Sequence, residues 1–144
     1  MFYESKATWD VCVDFLRCNP KFFGHPRYDC VLIRTVDKFI FARLVLIFAI
    51  KIGGSYHPIA LVRPFDAYLG PRRRKDKELG LYRVGMKTSS EFVPLRSIVR
   101  GALLVPDFDE QCAGEFIVVD VIDSDMFLRV REMQGRYSSS LGMP

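Results

Sequence analysis

The sequence has no apolar run long enough to cross a lipid bilayer, which takes about 20 residues. Its most apolar stretch, FIFARLVLIFAIKI (39–52), is shorter, contains Arg43 and is bordered by charges, so we expect no membrane span. The N-terminal MFYESKATWD also lacks the basic start and apolar run of a secretory leader. We therefore expect an intracellular protein whose four cysteines are free thiols in a reducing compartment.

Common catalytic and cofactor-binding motifs are missing as well. There is no GxxxxGK[ST] phosphate loop and no GxGxxG loop, which excludes nucleotide binding by those two routes. His25 and His57 both stand beside prolines, without a neighbouring nucleophile motif. Cys12 and Cys18 are separated by five residues rather than by the two that suit a zinc ion. We predict core thiols, no metal site and no other cofactor.

The residues that are abundant favour β-strands. The 144-residue chain contains 12 Phe and 6 Tyr, and it is long enough for one domain with a packed core. β-Branched and aromatic residues dominate 39–52, and Gly53-Gly54-Ser55 follows directly, so we predict a long hairpin with 56–66. Because 39–52 is apolar on both faces, we expect it to be central in a curved sheet, with Arg43 near a strand end or beside an acid.

The remaining segments complete an all-β prediction. Shorter strands are predicted within 29–36, 79–86 and 92–105, and a closing hairpin joins 115–123 to 126–133. A short helix is predicted from Trp9 to Leu16, with Thr8 as its N-cap. The fold class is therefore a small antiparallel barrel of six or seven strands with a short N-terminal helix. Residues 1–28 form a lead-in segment that packs on the domain, 29–133 form the barrel, and 134–144 form a flexible tail.

One basic segment accounts for the net charge. The chain carries +4 in total, and PRRRKDK (71–77), with five bases and one acid, carries +4 by itself. Such a run can contact nucleic-acid phosphates, serve as a nuclear-import signal, or simply form a solvated loop. The candidate nucleic-acid contacts are Arg72, Arg73, Arg74, Lys75 and Lys77.

Two further groups of residues are candidate site residues. Aromatic rings near the loop ends can cage a methylated lysine or stack on bases, although ordinary core packing is the reading that we favour. These candidate ligand contacts are Tyr56, Phe65, Tyr68 and Tyr82, with Phe92 nearby. The acids of DVIDSD (120–125) are compatible with a metal-dependent nuclease that uses Asp120 and Asp123. Too few further acids surround them, so we predict a hairpin turn at 123–125 and no catalytic residue.

Several segments, taken in order, resemble a known family. They are RCNPKFFGHPRYDCVLIRT, IFARLVLIFAI, HPIALVRPFDA, RRRKDKELGLYRV, SIVRGALLVPDFD and GEFIVVDVIDSDMFLRV. Together they resemble a domain near the C-terminus of proteins from fungal cut-and-paste transposons of the Plavaka and Kyakuja-Dileera-Zisupton type. The resemblance spans 10–131 and implies a BAH- or SH3-like barrel, a nuclear setting and no catalytic residues, since the nuclease core of such proteins lies elsewhere.

The sequence thus leads to one functional hypothesis with two alternatives. We expect a non-catalytic interaction module of transposon origin that docks a chromatin or transposase protein surface, or a nucleic-acid backbone. The alternatives are a metal-dependent nuclease fragment and a structural remnant without its own partner. If 39–52 is not fully covered within one chain, we expect a homodimer through this strand, because large apolar patches rarely stay exposed.

Overall fold

A computed structural model describes residues 1–66, 81–108 and 114–140 of the chain. Strands dominate these residues, and one α-helix and one 3-10 turn (Leu95–Ser97) accompany them. The strands of the main sheet are β5 (Cys30–Arg34), β6 (Phe39–Ile52), β7 (Ser55–Asp66), β8 (Tyr82–Met86), β9 (Glu91–Pro94), β10 (Ile98–Ala102), β11 (Leu104–Pro106) and β12 (Glu115–Val118). Before them lie β1 (Phe2–Glu4), β2 (Val11–Val13), β3 (Cys18–Phe22) and β4 (His25–Tyr28), and helix α1 (Ser124–Ser140) follows them.

The main sheet curls into a nearly closed antiparallel barrel of seven strands, which confirms the predicted fold class. Its strand order is β10-β5-β6-β7-β8-β12-β11, and β9 pairs with β7 outside this path. Only Leu103 separates β10 from β11, so one bent segment pairs with β5 at one edge and with β12 at the other. This bend joins the two edges of the sheet and leaves few unpaired backbone groups at them.

Strand β6 is central, as its composition predicted. It pairs with β5 on one side and with β7 on the other, and the β6–β7 turn places Gly53 and Gly54 at φ 58° and 84°. Both positive angles fit a tight hairpin turn, in which glycine is favoured. The first half of β6 is buried on both faces, because Phe41 points into one core and Ala42 and Leu44 into another.

The two cores lie on opposite faces of the sheet. The barrel core lies inside the curl and includes helix residues that pack against the strands; its largest members are Leu32, Phe41, Phe65, Tyr82, Phe116 and Met126. The outer core lies beneath the N-terminal segment and consists of Val31, Ile33, Ala42, Leu44, Ala60, Val62 and Ile98. Met1, Leu16 and Cys18 pack against it from the N-terminal segment.

Arg43 interacts differently from the prediction. Its guanidinium lies 5.1 Å from the centroid of the Phe116 ring, a cation–π contact at the wall of the barrel. Its buried Nε has no hydrogen-bond partner among the residues described. The neighbouring Cys30 is a free thiol whose pKa is raised by burial, with Arg43 opposing that rise. An aromatic face, rather than the predicted acid, thus accompanies this cation.

The predicted N-terminal helix is wrong. Residues 11–13 form strand β2, which pairs with β1, and a second small hairpin joins β3 to β4. Val11 and Val13 favour an extended backbone once Phe2–Glu4 supplies a partner strand. Trp9, placed inside the predicted helix, instead adopts a left-handed backbone with φ 63°. Spacing of Trp9, Val13 and Leu16 suited a helix, but strand pairing outweighs that weak local preference.

The second strand of the predicted closing hairpin is also wrong, because residues 126–133 belong to helix α1. Asp123 is its N-cap: the carboxylate accepts the Met126 N–H at 2.7 Å, and the Asp123 carbonyl accepts the Phe127 N–H at 3.2 Å. Met126, Val130 and Met133 then follow helical spacing and are buried in the barrel core. The helix reaches Ser140, within the segment predicted as a flexible tail. No helix in the described ranges is long and apolar enough to span a membrane.

A buried ion cluster joins the barrel, helix α1 and the N-terminal segment. Arg100 of β10 donates to Asp125 at 2.7 Å and, through both terminal nitrogens, to Asp123 at 2.8 and 3.0 Å. Arg129 donates to the same Asp125 oxygen at 2.8 Å and to the Glu4 carbonyl at 2.7 Å. The Lys6 backbone N–H also donates to Asp125. Asp125, only 4% exposed, is therefore the acceptor that three separate parts of the fold share.

The electrostatics of this cluster favour its charged state. Burial by itself would raise the pKa of the Asp125 carboxyl, but hydrogen bonds from Lys6, Arg129 and Arg100 hold that pKa below its usual value. Burial opposes ionisation of Asp123 in the same way, and hydrogen bonds from Arg100 and Met126 again lower its pKa. Both carboxylates are therefore ionised at neutral pH, each paired with a guanidinium.

Replacing Asp125 by Ala should lower the free energy of unfolding by about 3–5 kcal/mol, because Arg100 and Arg129 would stay buried without their shared acceptor. Urea denaturation followed by circular dichroism measures this loss. Glu91→Ala, which removes an exposed acid at the start of β9, is the matched control and should change stability by less than about 0.5 kcal/mol. Equal effects of the two substitutions would contradict the role given to the cluster.

Acid should destabilise the fold through the same carboxylates. Because their pKa values are lower in the folded state, their contribution is complete above the unfolded Asp value of about 3.9 and is lost as pH falls through the folded values. The free energy of unfolding should therefore drop as pH falls below about 4. Denaturation at a series of pH values should show a shallower drop for Asp125→Asn than for the natural protein, and parallel curves would refute this assignment.

Candidate functional site

Of the predicted site residues, the structure describes Tyr56, Phe65 and Tyr82, and these three do not share one surface. Arg72, Arg73, Arg74, Lys75, Lys77 and Tyr68 lie outside the described residues. Tyr56 is exposed near the end of the β6–β7 hairpin, where the Lys51 Nζ lies 5.6 Å from its ring centroid. Phe65 and Tyr82 are instead buried in the barrel core, which corrects their assignment as ligand contacts. Their hydrophobic area stabilises the core, and Phe65 packs edge-to-face on Phe116 at 5.0 Å.

Asp120 and Asp123, the acids of the nuclease alternative, do not lie in a metal-binding arrangement within the described residues. Asp123 caps helix α1 and binds Arg100, and this uses both of its carboxylate oxygens. Asp120 is 8% exposed. Across 1–66, 81–108 and 114–140, no group of three His, Cys, Asp or Glu side chains is arranged to hold a metal ion. Asp123 therefore has a structural role, as N-cap and partner of Arg100, in place of the hairpin turn predicted at 123–125.

The first candidate surface is an apolar sheet face that extends beyond the barrel. After a bulge at Val45, β6 continues with β7, and β9 pairs with 59–62 of β7 to form a three-stranded extension. We call one side of it the hairpin face, defined by Leu46, Phe48, Ile50, Ile52, Ile59, Leu61 and Phe92. Register places these residues on one side, since Leu46 pairs with Leu61 and Leu61 with Phe92.

The hairpin face is substantially exposed. Leu46, Ile52 and Phe92 are 49%, 59% and 69% exposed, and Phe48 and Phe92 pack edge-to-face at 5.9 Å. All seven defining side chains are apolar, and His57 lies opposite Ile50 at the border. A contiguous apolar surface of this kind typically marks a protein–protein contact.

The second candidate surface is a groove formed by two adjoining cavities that share Arg96 and Ile98; we call it the Arg96 groove. Its apolar half has a volume of about 460 Å³ and is lined by Met1, Leu16, Ile47, Pro58 and Leu95. Its cationic half has a volume of about 370 Å³ and is lined chiefly by Tyr3, Glu4, Lys6, Trp9, Arg34 and Arg129. Both volumes lie in the range of about 300–1,000 Å³ that is usual for ligand pockets.

Cations outnumber acids in the cationic half. Glu4 is the acid in its lining, against Lys6, Arg34, Arg96 and Arg129. Arg129 belongs to the buried ion cluster, and the Lys6 Nζ lies 3.0 Å from a carboxylate oxygen of Glu132 in helix α1. Arg34 and Arg96 are exposed and have no acidic partner among the described residues. The groove thus offers two guanidiniums that remain available to an anion.

Tyr3 forms the inner wall of the cationic half. The guanidiniums of Arg100 and Arg129 lie 4.7 and 5.9 Å from its ring centroid. Burial raises the pKa of Tyr3 to about 12 although Arg100 opposes the rise, so its hydroxyl stays neutral. Since two cations already pack on this ring, the cationic half does not suit a methylated lysine, which would need that aromatic face for itself.

Trp9 stands at the edge of the cationic half and is 72% exposed. The turn between β1 and β2 presents it: Trp9 N–H donates to the Ser5 carbonyl at 2.9 Å, and Ser5 N–H donates to the Asp10 carbonyl at 2.8 Å. The left-handed backbone of Trp9 costs on the order of 1–3 kcal/mol, which these bonds offset. Its exposed indole makes Trp9 a candidate contact residue.

Sequence reasoning did not find the Arg96 groove. Its residues come from the N-terminal segment, the end of β5 and the 3-10 turn, which only the folded chain brings together. One signal was present, namely the single Trp of the chain in the polar context KATWD. The predicted helix misplaced it, because a helical Trp9 would have packed inward beside Val13 and Leu16.

Comparisons of the chain with protein-family models, with curated proteins and with solved structures gave no match.

The environment of Trp9 has a spectroscopic consequence. As the only tryptophan, it should show a higher ratio of iodide to caesium quenching constants than free N-acetyltryptophanamide does, because Arg34 and Arg96 concentrate anions beside it. Arg96→Ala should reduce the iodide constant and leave acrylamide quenching unchanged. Arg131→Ala, which removes an exposed arginine that stacks on Phe127 of helix α1, is the control and should change neither. A ratio equal to that of N-acetyltryptophanamide would contradict the proposed field.

Proposed function

We propose that the protein is a non-catalytic interaction module that docks another protein surface through the hairpin face. The observation that supports this most directly is the exposure of Leu46, Ile52 and Phe92 on one apolar sheet face. Burying such side chains gives roughly 25 cal/mol per Å² of apolar area, so contact with a second surface is favourable. Aromatic and aliphatic anchors of this type commonly dominate the energy of protein interfaces.

The occupant that we assign to the hairpin face is a second copy of this chain. Its seven defining side chains are uncharged, so two identical faces can meet without like-charge repulsion. Face-to-face packing of two sheets, about 10 Å apart, would bury the exposed anchors of both copies around a two-fold axis. This extends the homodimer expected from strand 39–52, with its outer half as the contact.

Other parts of the sequence-based hypothesis stay predictions. They include the transposon origin, the nuclear setting, docking to a chromatin or transposase protein, and phosphate contacts by the basic segment 71–77. A dimeric module is compatible with each of them, because paired copies would present two sets of contacts and bind a repeated target with higher avidity.

Sedimentation velocity over a wide concentration range tests the assignment. The natural protein should show a reversible monomer–dimer equilibrium, and Leu46→Asp and Phe92→Asp should each weaken the dimer at least about tenfold, because each buries a carboxylate at the contact. Val121→Asp, at a 66% exposed position outside the hairpin face, should leave the equilibrium unchanged. A protein that stays monomeric, or a dimer that both Asp variants keep intact, would reject the second copy as occupant.

A further inference from the structure

We infer that the Arg96 groove binds an extended peptide segment of a partner protein, with acidic side chains over the cationic half and aliphatic side chains in the apolar half. This inference goes beyond the proposed function, because it concerns a different surface and a different ligand. It depends on the continuity of the two halves at Arg96 and Ile98.

The cationic half selects for carboxylates. The guanidiniums of Arg34 and Arg96 have planar donor pairs that match a carboxylate, and no described acid occupies them. The Arg34 guanidinium also lies 5.5 Å from the Phe39 ring centroid, and this cation–π contact holds the Arg34 side chain beside the groove. Glu4, the acid of the lining, repels a ligand carboxylate from its own side and so directs it toward the arginines.

The apolar half selects for aliphatic side chains and fixes the class of ligand. The side chains of Met1, Leu16, Ile47, Pro58 and Leu95 offer neither a cation nor an aromatic ring, and the Met1 ammonium donates to the Asp14 carbonyl at 3.0 Å. A single-stranded nucleic acid binds along a continuous basic surface with aromatic side chains on which successive bases stack. Within the Arg96 groove, cations and an exposed aromatic ring occur together only in the cationic half, near Trp9. A peptide with acidic and aliphatic residues matches both halves, and the exposed Trp9 indole can pack on it as a rigid anchor.

The groove and the hairpin face are separate surfaces of one strand. Ile47 lines the groove, whereas its neighbour Leu46 belongs to the hairpin face, and successive residues of a strand point to opposite sides. A peptide in the groove therefore does not compete with dimer contact through the hairpin face.

Titration of the full chain with synthetic peptides tests the inference, read by Trp9 fluorescence and by anisotropy of a labelled peptide. The probes are a peptide with an acidic block before an aliphatic block, the same blocks in reverse order, the amide analogue with Gln and Asn for the acids, and a single-stranded oligonucleotide. One of the two block orders should bind, the amide analogue should bind at least about tenfold more weakly, and added salt should weaken binding.

Variants localise the site. Arg34→Ala and Arg96→Ala should each weaken the acidic peptide about tenfold, and Leu95→Asp should weaken it through the apolar half. Arg131→Ala is the matched cation control, and Leu46→Asp, which tests the dimer, should bind the peptide as the natural protein does. Failure of the dimer and failure of the peptide are therefore distinguishable.

Three outcomes would overturn the inference. They are no binding of either block order, equal binding of the acidic peptide and its amide analogue, and oligonucleotide binding that is tighter than peptide binding at the same salt concentration and is weakened by Arg34→Ala and Arg96→Ala. The last result would assign the groove to nucleic acid.

Discussion

The architecture depends on one buried carboxylate, that of Asp125. Removing such a charge from water costs several kcal/mol, and only the convergence of Arg100, Arg129 and the Lys6 backbone N–H offsets that cost. Each donor comes from a different part of the fold, so the charge is satisfied only when barrel, helix and N-terminal segment are all in place. The cluster thus specifies one arrangement of parts that apolar contacts alone would leave free to slide.

The Arg96 groove exists because this cluster fixes its inner wall. Arg129 donates to the Glu4 carbonyl, and Arg100 and Arg129 pack on the Tyr3 ring, which holds β1 against β10 and helix α1. With β1 fixed, the following turn presents Trp9 opposite Arg34 and Arg96. Within the groove, the two arginines that lack acidic partners among the described residues lie at the surface, whereas the buried Arg129 is paired with Asp125. This distribution separates the charges that stabilise the fold from those that remain available to a ligand.

The sequence predicts an element of the fold correctly where its local pattern and its tertiary environment favour the same structure. The hairpin of 39–66, its turn at Gly53-Gly54 and the barrel class followed from β-branched and aromatic composition. The pattern MFLRVREM is compatible with either a strand or a helix, and the sequence alone does not distinguish a turn residue from the N-cap Asp123 that begins the helix. Arg100 lies 23 and 25 positions from its acids, so no local pattern relates them. The groove needed contacts at still longer range.

The surroundings of strand β6 explain why segment 39–52 is so apolar. Its first half is buried on both sides, by the barrel core at Phe41 and by the outer core at Ala42 and Leu44. The bulge at Val45 shifts the register, and the second half leaves the barrel with apolar residues still on both sides. One side becomes the hairpin face and the other becomes the wall of the apolar half at Ile47. The apolar composition that builds the core therefore continues beyond the barrel and forms two candidate contact surfaces on the longest strand of the sheet.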